Sequence, residues 1–325
     1  MINVGIVGCG NMAMGYHIPS LQRVKEAKIK AICDKDEKQL EKAIKLVQTT
    51  SYYDYNEMLA NENLDAVYVL TPPITHKEIV LKALEGDCHI FCEKPPALEV
   101  KDVREMCEKA KIYSKVLFFG FNRRFSPLYT KVKEITRIDG IDLLLLEKTR
   151  EGASFIDENL IRRRCKLHGS MLTSFIVHFI DVAKWICGKV KEVSFHSSYI
   201  VNLSVCPGSA AGLIEHQTGA KTLIYFYSQA GKSFERSTMH KNLMTVQTYG
   251  GMFEKSKAVI TTPESSQIFY SPKDTLERGG FLQETAYFIQ MMKRRKHRVF
   301  PDDDVAETLE LAIKFNDSFG SKECE

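Results

Sequence analysis

Residues 2–13, INVGIVGCGNMA, decide the fold of this chain. An apolar run typical of a buried parallel strand leads into Gly8 and Gly10, and the pattern that follows is helical. Gly8 permits a tight turn, and Gly10 lets a pyrophosphate approach the backbone. Backbone amides at the start of the helix, including those of Asn11 and Met12, would then bind the phosphates. The segment therefore predicts a dinucleotide-binding turn.

An acidic residue at the end of the second predicted strand supports this interpretation. Asp34 lies 24 residues after Gly10, where a carboxylate accepts hydrogen bonds from the adenosine ribose hydroxyls and repels a 2′-phosphate. NAD is therefore the expected cofactor, and NADP is the alternative because Lys35 lies beside Asp34. A structural glycine turn that binds no nucleotide is a second alternative.

Outward from this turn, strand and helix patterns alternate as far as residue 120. Helical patterns lie near 12–25, 36–48, 75–85 and 99–111. The strand-like runs around them are VGIVG, KIKAICD, DAVYVLT, CHIFCEK and KVLFFGF. Because these segments read as apolar runs rather than as alternating patterns, they indicate a parallel sheet covered by helices on both faces. Residues 1–120 are therefore expected to form an α/β Rossmann domain with a doubly wound sheet.

After Phe121 the pattern changes to longer β segments that follow a helix near 171–187. These segments are IDLLLLEKT, VKEVSFHSSYIVNLSV, KTLIYFYSQ and LMTVQTYG. They predict a second domain, residues 121–325, of the α+β class with a large, mostly antiparallel open sheet. Asp residues followed by apolar residues at helical spacing predict a terminal helix at about 302–318, which we expect to pack back on the first domain.

One β segment, TLIYFYS, is apolar on both faces. Leu223 and Tyr225 alternate with Ile224 and Phe226, and alternate residues of a strand point to opposite faces of the sheet. Helices are expected to cover one face, and a second copy of the chain is the simplest cover for the other. The segment thus predicts a homodimer or homotetramer formed through the second-domain sheet.

Charge and composition argue against nucleic acid and membrane partners. The net charge of +4 over 325 residues is slight, and the basic run KRRKHR at 293–298 fits the solvated end of a helix. No window approaches the roughly 18 apolar residues of a membrane span. The chain enters its first strand without a basic leader, so nothing in this segment indicates export.

The cysteines indicate a reducing compartment. Nine cysteines, an odd number spread along a long chain, do not suit the disulfide framework of a secreted protein. Cys88, His89 and Cys92 lack a second ligand pair at zinc-finger spacing, so no metal site is expected. These observations predict a cytoplasmic protein.

Three further motifs make the chain similar to a known family. They are TPPITH at 71–76, EKPP at 93–96 and HGSMLTSFIVHFIDVAKWICG at 168–188. Together they resemble the Gfo/Idh/MocA oxidoreductases. GFNRRFSPLY at 120–129 and TLERGGF at 275–281 narrow the resemblance to the MviM-like branch of virulence-factor homologues.

The resemblance implies a role for each residue of the first two motifs. Thr71, Pro72 and His76 would line the nicotinamide-ribose side, and Glu93 would contact the cofactor. Lys94 would donate or accept the catalytic proton, and its bond to the following proline is often cis in the relatives. A solvated loop lysine is the structural alternative for Lys94.

The third motif implies a second catalytic residue, His178, on a helix of the second domain. Relatives carry an aspartate four residues earlier, where this chain has Ser174, and a small residue where this chain has Ile176. Asp181 shares a helix face with these positions and is the remaining carboxylate that could orient His178. A structural helix histidine is the alternative for His178.

Other candidates rest on position within the family-like segments. Arg124 matches a position where some relatives contact a substrate hydroxyl or carboxylate, its neighbour Arg123 is an equal candidate, and either residue could instead form a structural ion pair. Ser174, His178 and Asp181 would join Arg124 in binding substrate. The weakest candidates for the expected cleft are His17, His168 and Arg278.

The resemblance implies an NAD(P)-dependent oxidoreductase that transfers a hydride between nicotinamide and a sugar, polyol or sugar-derived substrate. Because Ser174 replaces the usual aspartate, a catalytically weakened NAD(H)-binding sensor of the same fold is the alternative. A protein interaction module, which binds no cofactor, is a third reading.

Overall fold

The computed structural model describes residues 1–136, 140–151, 158–200, 203–250, 255–294, 299–301 and 304–318. By contacts the chain divides into two compact units. The first unit comprises Met1–Asn122 and Gly280–Glu307, and the second comprises Arg123–Gly279 and Thr308–Glu325. Asp302 and Asp303, the predicted start of the terminal helix, lie outside the described residues. So do residues 295–298 of the basic run and residues 319–325.

Up to residue 122 the elements alternate as the sequence pattern predicts. They are β1 (Ile2–Val7), a π-helical turn (Ala13–His17), α1 (Ile18–Arg23), β2 (Ala27–Cys33), α2 (Glu37–Val47), β3 (Thr50–Tyr52), α3 (Tyr55–Asn61), β4 (Ala66–Val69), a 3₁₀ turn (Pro73–Thr75), α4 (His76–Glu85), β5 (His89–Cys92), α5 (Val100–Ile112) and β6 (Leu117–Phe119).

The remaining elements contain the longer strands. They are a 3₁₀ turn (Asn122–Phe125), α6 (Pro127–Thr136), β7 (Leu143–Glu151), α7 (Glu158–His168), α8 (Met171–Cys187), β8 (Val190–Ile200), β9 (Leu203–His216), β10 (Lys221–Ala230), β11 (Phe234–Lys241), β12 (Met244–Tyr249), β13 (Lys257–Thr261), β14 (Ser266–Tyr270), α9 (Thr275–Gly279), α10 (Phe281–Lys293), β15 (Val299–Phe300) and α11 (Val305–Asp317).

The first unit is a parallel sheet in the order β15-β6-β5-β4-β1-β2-β3. The strand order reverses between β1 and β4, and the carboxyl ends of strands at such a switch point form a ligand-binding crevice. The predicted Rossmann fold is therefore confirmed. The short edge strands β3 and β15 were not predicted, because neither carries the apolar run that marks a central strand.

The segment Gly280–Glu307 belongs to the first unit, although the predicted boundary placed it in the second domain. The reason is aromatic packing by α10. The Phe288 ring centroid lies 5.5 Å from that of Tyr68 and 5.7 Å from that of Phe91, so α10 buries its apolar side against the Rossmann sheet.

The second unit is an eight-stranded sheet in the order β14-β13-β12-β11-β7-β10-β9-β8. Only the β7 and β10 pair is parallel among the pairs of this sheet. The expected α+β domain with a mostly antiparallel sheet is confirmed. Helix α8 packs Phe175 against Phe226 of β10, with the ring centroids 6.0 Å apart.

The terminal helix α11 does not follow the expectation that it packs back on the first domain. From Thr308 onward it belongs to the second unit, where the Phe315 ring centroid lies 4.3 Å from that of Phe195 on β8. Gly212 of β9 makes room for these rings, since an added Cβ would lie 2.4 Å from the Phe315 ring. A buried aromatic contact on the second sheet therefore determines where the helix packs.

No single helix in the described part of the chain is both long and apolar enough to cross a membrane. Only Arg162–His168 joined to Leu172–Cys187, across a 45° bend, meets the length and composition of a span.

Candidate dinucleotide site and active site

The glycine turn after β1 has the conformation that its sequence predicts. Gly8 has a φ of +98°, and an added Cβ would lie 2.7 Å from the Leu70 carbonyl carbon and 2.8 Å from the Thr71 nitrogen. A side chain at Gly8 would therefore be strained and would also collide with backbone. By contrast, among the described residues other than its chain neighbours, no atom lies within 4 Å of an added Cβ at Gly10.

The helix that follows the turn begins at once. The Met14 amide donates to the Gly10 carbonyl over 3.0 Å, while Asn11 is exposed and Met12 is half-buried. The first amides of a helix have no partner within the helix and attract anions. The open space at Gly10 therefore lies beside groups that suit a phosphate.

Asp34 is tied directly to the glycine turn. Its Oδ2 accepts a hydrogen bond of 2.7 Å from the Cys9 amide, and its Oδ1 accepts one of 2.9 Å from the Asp36 amide. The side chain is half-buried at the end of β2. Each carboxylate oxygen has a second acceptor site, so Asp34 retains capacity for ribose hydroxyls.

The two thiols at this turn do not provide a nucleophile. Burial and the nearby charge of Asp34 raise the pKa of Cys9 and of Cys33 to about 12. Because the thiolate is the reactive form of cysteine, both side chains are inert near neutral pH.

The Thr71 loop is held from within by a buried histidine. The His76 Nε2 lies 2.8 Å from the Thr71 carbonyl oxygen, and its Nδ1 lies 3.2 Å from that of Pro96. Burial lowers the pKa of His76 despite these contacts. Thr71 and Pro72 are half-buried at the loop surface. His76 thus joins the TPPITH and EKPP loops, and its expected place on the nicotinamide-ribose side stays a prediction.

Glu93 is also engaged within the protein. Its Oε1 lies 2.7 Å from the Nε2 of His17, and its Oε2 accepts a hydrogen bond of 2.8 Å from the Lys94 amide. Burial alone would raise the pKa of Glu93, but the hydrogen bond and attraction of His17, together with Lys94, hold it below its ordinary value. Glu93 is therefore ionised and anchored within the protein, and the cofactor contact that the resemblance implied stays a prediction.

Lys94 stands half-buried directly after this anchor, and the Lys94-Pro95 peptide bond is cis. Strand β5 ends at Cys92, next to β4 and two strands from β1. Lys94 and the glycine turn thus lie at the same edge of the sheet, as the sequence predicts.

The two arginines of the second unit form buried ion pairs. Arg124 donates from Nε to both Asp181 oxygens over 3.0 Å, and from Nη2 to Oδ1 over 2.7 Å. Arg123 donates to Glu235 over 3.0 Å from Nε and over 2.7 Å from Nη2. Both arginines thus form the ion pairs that the structural alternative describes, and the substrate contact of Arg124 stays a prediction.

Helix α8 carries His178 and Ser174 one turn apart. His178 is buried and Ser174 is half-buried. Asp181 binds Arg124, so its charge is shared with a guanidinium. Ile176, which stands where relatives carry a small residue, is fully buried.

The weakest candidates have different surroundings. Arg278 donates from Nη1 to the Lys273 carbonyl over 2.8 Å and from Nη2 to the Thr275 hydroxyl over 3.0 Å, so it stabilises its own loop. His168 is exposed at the end of α7. His17, by contrast, is buried and contacts Glu93 directly.

Sequence reasoning missed Glu235, which is bound by Arg123, Lys148 and the Tyr129 hydroxyl. No local motif marks it, because it lies 112 residues from Arg123 in the chain. In the described residues, no group of three or more His, Cys, Asp or Glu side chains is arranged to hold a metal ion.

These features fit a dinucleotide. The turn leaves open space at Gly10 beside helix amides, and Asp34 ends the neighbouring strand at a switch point of the sheet. This combination defines a dinucleotide-binding protein of the Rossmann type.

The family follows from comparison with known proteins. Residues 2–121 match the model of the GFO_IDH_MocA oxidoreductase family with its NAD-binding Rossmann fold. Over these residues the chain has the NAD-binding domain of the Gfo/Idh/MocA family, and the resemblance inferred from the motifs is confirmed.

One curated relative is the myo-inositol 2-dehydrogenase of Thermotoga maritima, 32% identical over 204 residues. The match covers 62% of this chain and 60% of that enzyme. The chain therefore spans less than two thirds of this relative's length.

Solved structures share the fold over nearly the whole chain. A dehydrogenase (MviM) from Clostridium difficile has a TM-score of 0.83 at 16% identity and covers 98% of this chain and 99% of its own. An Agrobacterium radiobacter oxidoreductase, crystallised with NAD+, L-tartaric acid and magnesium, has a TM-score of 0.83 at 17% identity and covers 99% and 97%. An Actinomadura kijaniata 3-ketoreductase, crystallised with NADP and TDP-benzene, has a TM-score of 0.79 at 18% identity and covers 96% and 94%.

Proposed function

We propose that this protein is an NAD(P)-dependent oxidoreductase acting on a CH-OH group of a sugar, polyol or sugar-derived substrate. The observation that carries the proposal is Lys94, which follows an ionised, anchored Glu93 at the same sheet edge as the glycine turn. Support for the substrate class comes from the similarity to myo-inositol 2-dehydrogenase.

Different residues of the first unit would bind different parts of the dinucleotide. The turn at Gly8 and Gly10 and the amides of Asn11 and Met12 would hold the pyrophosphate, while Asp34 would bind the adenosine ribose. Thr71 and Pro72 would line the nicotinamide ribose. His76 would hold their loop in place through its contact with the Thr71 carbonyl oxygen. The bound nicotinamide would accept or supply the hydride.

Lys94 would act as the general acid or base that transfers the proton. In oxidation its amine would take the proton from the hydroxyl oxygen on the reacting carbon, and in reduction its ammonium would protonate the forming alkoxide oxygen. His178 is the second candidate for this proton transfer. Arg124, Ser174 and Asp181 are proposed for substrate binding on the second unit, where the Arg124 and Asp181 pair would act as one preformed polar group.

NAD is the proposed cofactor in preference to NADP, because the carboxylate of Asp34 would repel a 2′-phosphate. We further propose a cytoplasmic homodimer or homotetramer formed through the outer face of the second-unit sheet, which is the face that carries Leu223 and Tyr225.

The decisive experiment compares Lys94→Ala with the wild type on substrates found by screening sugars, polyols and sugar acids with NAD or NADH. Turnover should fall by about 100-fold or more, the range of a general acid-base group. The affinity for NADH should change little. Lys101→Ala is the matched control, since Lys101 is exposed and pairs only with Glu99 among the contacts described for it. Unchanged turnover in Lys94→Ala would refute the proton-transfer role.

A second candidate function, an NAD(H)-binding sensor, is favoured by one observation. Position 174 carries a hydroxyl where relatives carry a carboxylate, and Asp181 is engaged by Arg124. NADH binding without turnover of any substrate in the screen would select this candidate, whereas failure to bind NAD or NADP would exclude both.

A further inference from the structure

The buried contact between His17 and Glu93 joins two segments of the candidate site. His17 belongs to the π-helical turn after the glycine turn, and Glu93 follows β5. The His17 Nε2 lies 2.7 Å from the Glu93 Oε1, and the Glu93 Oε2 accepts the Lys94 amide over 2.8 Å. One carboxylate therefore links the helix that follows the nucleotide turn to the backbone of Lys94.

Aromatic rings surround this contact. The His17 ring makes edge contacts with Phe91, Phe281 and Tyr68, at centroid distances of 5.1, 5.7 and 6.0 Å. His17 is 1% exposed and Glu93 is 6% exposed. Packing of this kind restricts the imidazole to one orientation, so the Glu93 carboxylate that contacts it is held in one position.

Burial of this polar contact has a cost in free energy. A buried carboxylate loses its hydration, and a well-packed apolar pair of similar volume is often as stable as a buried polar or charged pair. Stability alone therefore does not explain a carboxylate at this position. Its distinguishing property is a fixed negative charge next to Lys94.

We propose that Glu93 is a positioning residue that fixes Lys94 and favours its protonated form, and that His17 holds Glu93 in place. This inference rests on the proposed proton-transfer function of Lys94. An opposite charge at short range favours the charged form of an ionisable group, so Glu93 would bias Lys94 toward the ammonium, the form that protonates the alkoxide in the reductive direction.

Other titratable groups face this pair and must be accounted for in a pH experiment. His76 of α4 and Cys92 of β5 lie 3.4 Å apart, Nδ1 to Sγ, and both respond to the charge of Glu93. Tyr68 of β4 and Glu284 of α10 are buried nearby, and Tyr16 stacks on Phe281. These residues are retained in the variants below, and the first test follows the Lys94 resonance itself, so their own titration is not mistaken for that of Lys94.

The first test follows the titration of Lys94 itself and needs no substrate. Lysines are ¹³C-methylated reductively, the Lys94 resonance is assigned by its loss in Lys94→Ala, and its titration midpoint is measured by NMR. In Glu93→Gln the midpoint should move to lower pH by about 1 unit, because the stabilising negative charge is gone. An unchanged midpoint in a folded Glu93→Gln protein would overturn the proposal.

His17 provides a second test should Glu93→Gln fail to fold. His17→Leu removes the contact to Glu93, and His17→Gln retains a side-chain donor. Turnover should fall about 10-fold or more in His17→Leu and recover in His17→Gln, while NADH affinity stays within about 3-fold in both. Equal turnover in His17→Leu and wild type would contradict the role of His17.

A matched control separates positioning from general loss of a buried histidine. His216 is also buried and contacts the Gly188 carbonyl and the Thr222 hydroxyl, at 2.8 and 2.9 Å, within the second unit. His216→Gln should leave the Lys94 midpoint unchanged. A shift in His216→Gln equal to that in Glu93→Gln would show that the effect is global and refute the proposal. If the midpoint shifts as expected while Lys94→Ala remains active, only the proposed catalytic function fails.

Discussion

Arg124 and Asp181 form a buried ion pair in which the guanidinium donates from two nitrogens to one carboxylate across 57 residues of sequence. The Arg124 guanidinium carbon also lies 6.0 Å from the centroid of the Trp185 ring on the same helix as Asp181. The pair therefore attaches the 3₁₀ turn at Asn122–Phe125 to α8, the helix that carries His178.

Breaking this pair should destabilise the protein strongly. Asp181→Asn leaves the Arg124 charge without its carboxylate in a buried site, which should lower the free energy of unfolding by about 3–5 kcal/mol. Urea unfolding measures the change. The control is Glu85→Gln, because Glu85 pairs with Lys82 at the surface and its loss should produce no measurable change. An Asp181→Asn variant as stable as the wild type would contradict this assignment.

The two glycines of the nucleotide turn should respond differently to alanine. Gly8→Ala combines a positive φ with backbone collisions, so the free energy of unfolding should fall by about 2 kcal/mol or more. Gly10→Ala meets no described atom beyond its chain neighbours and should fold normally, yet it should weaken NADH binding by about tenfold or more because its methyl group occupies the phosphate space. Thermal unfolding and calorimetric titration measure the two effects. Wild-type NADH affinity in Gly10→Ala would place the pyrophosphate elsewhere.

The preference for NAD should depend on the charge of Asp34. Replacing the carboxylate in Asp34→Asn removes repulsion toward a 2′-phosphate, so the ratio of NAD to NADP affinity should fall by about tenfold. Asp36→Asn is the matched control, since Asp36 caps α2 through the Lys38 and Gln39 amides and asparagine caps equally well. Tighter binding of NADP than NAD by the wild type would show that Lys35 dominates.

Acid should weaken the second unit through Glu235. Burial by itself would raise the pKa of Glu235, but Arg123 and Lys148 outweigh burial and lower the pKa from 4.5 to about 2. The folded state therefore binds fewer protons than the unfolded state between these values. The stabilisation is complete above the unfolded pKa and is lost as the pH falls toward the folded pKa, for a total of about 3 kcal/mol.

Urea unfolding as a function of pH tests this linkage. The free energy of unfolding of the wild type should decline more steeply below about pH 5 than that of Glu235→Gln, which has no carboxylate to titrate. The comparison uses slopes, because Glu235→Gln also leaves Arg123 without its charged partner and is less stable at every pH. Parallel pH curves would contradict the proposed source of acid sensitivity.

The sequence predicts those parts of the fold and site whose determinants are local. The glycine turn, the apolar central strands and α8 each carry a complete pattern within a short segment. The packing of α10 and α11 depends on aromatic partners far away in the chain, so their sequences predict helices without predicting which sheet they cover. The same limit applies at the site, where Arg123 and Arg124 were recognisable as candidates but their partners Glu235 and Asp181 were not assigned to them.

The outer face of the second-unit sheet should mediate self-association. Leu213 of β9, Leu223 of β10 and Leu145 of β7 lie in one row across three neighbouring strands. Leu223 is 42% exposed and Tyr225 is 40% exposed, while Ile224 and Phe226 on the opposite face are buried. An apolar row of this kind at the middle of a sheet is a typical contact surface between subunits.

Leu223→Lys tests this surface directly. In a symmetric dimer the same residue is buried twice, so the variant would place two positive charges in one apolar interface and should convert the oligomer to a monomer. Light scattering at micromolar concentration measures the mass. Leu243→Lys is the matched control, because Leu243 is 78% exposed in the turn between β11 and β12 and should not affect assembly. A wild-type monomer, or an oligomer that persists in Leu223→Lys, would show that this sheet face does not hold the subunits together.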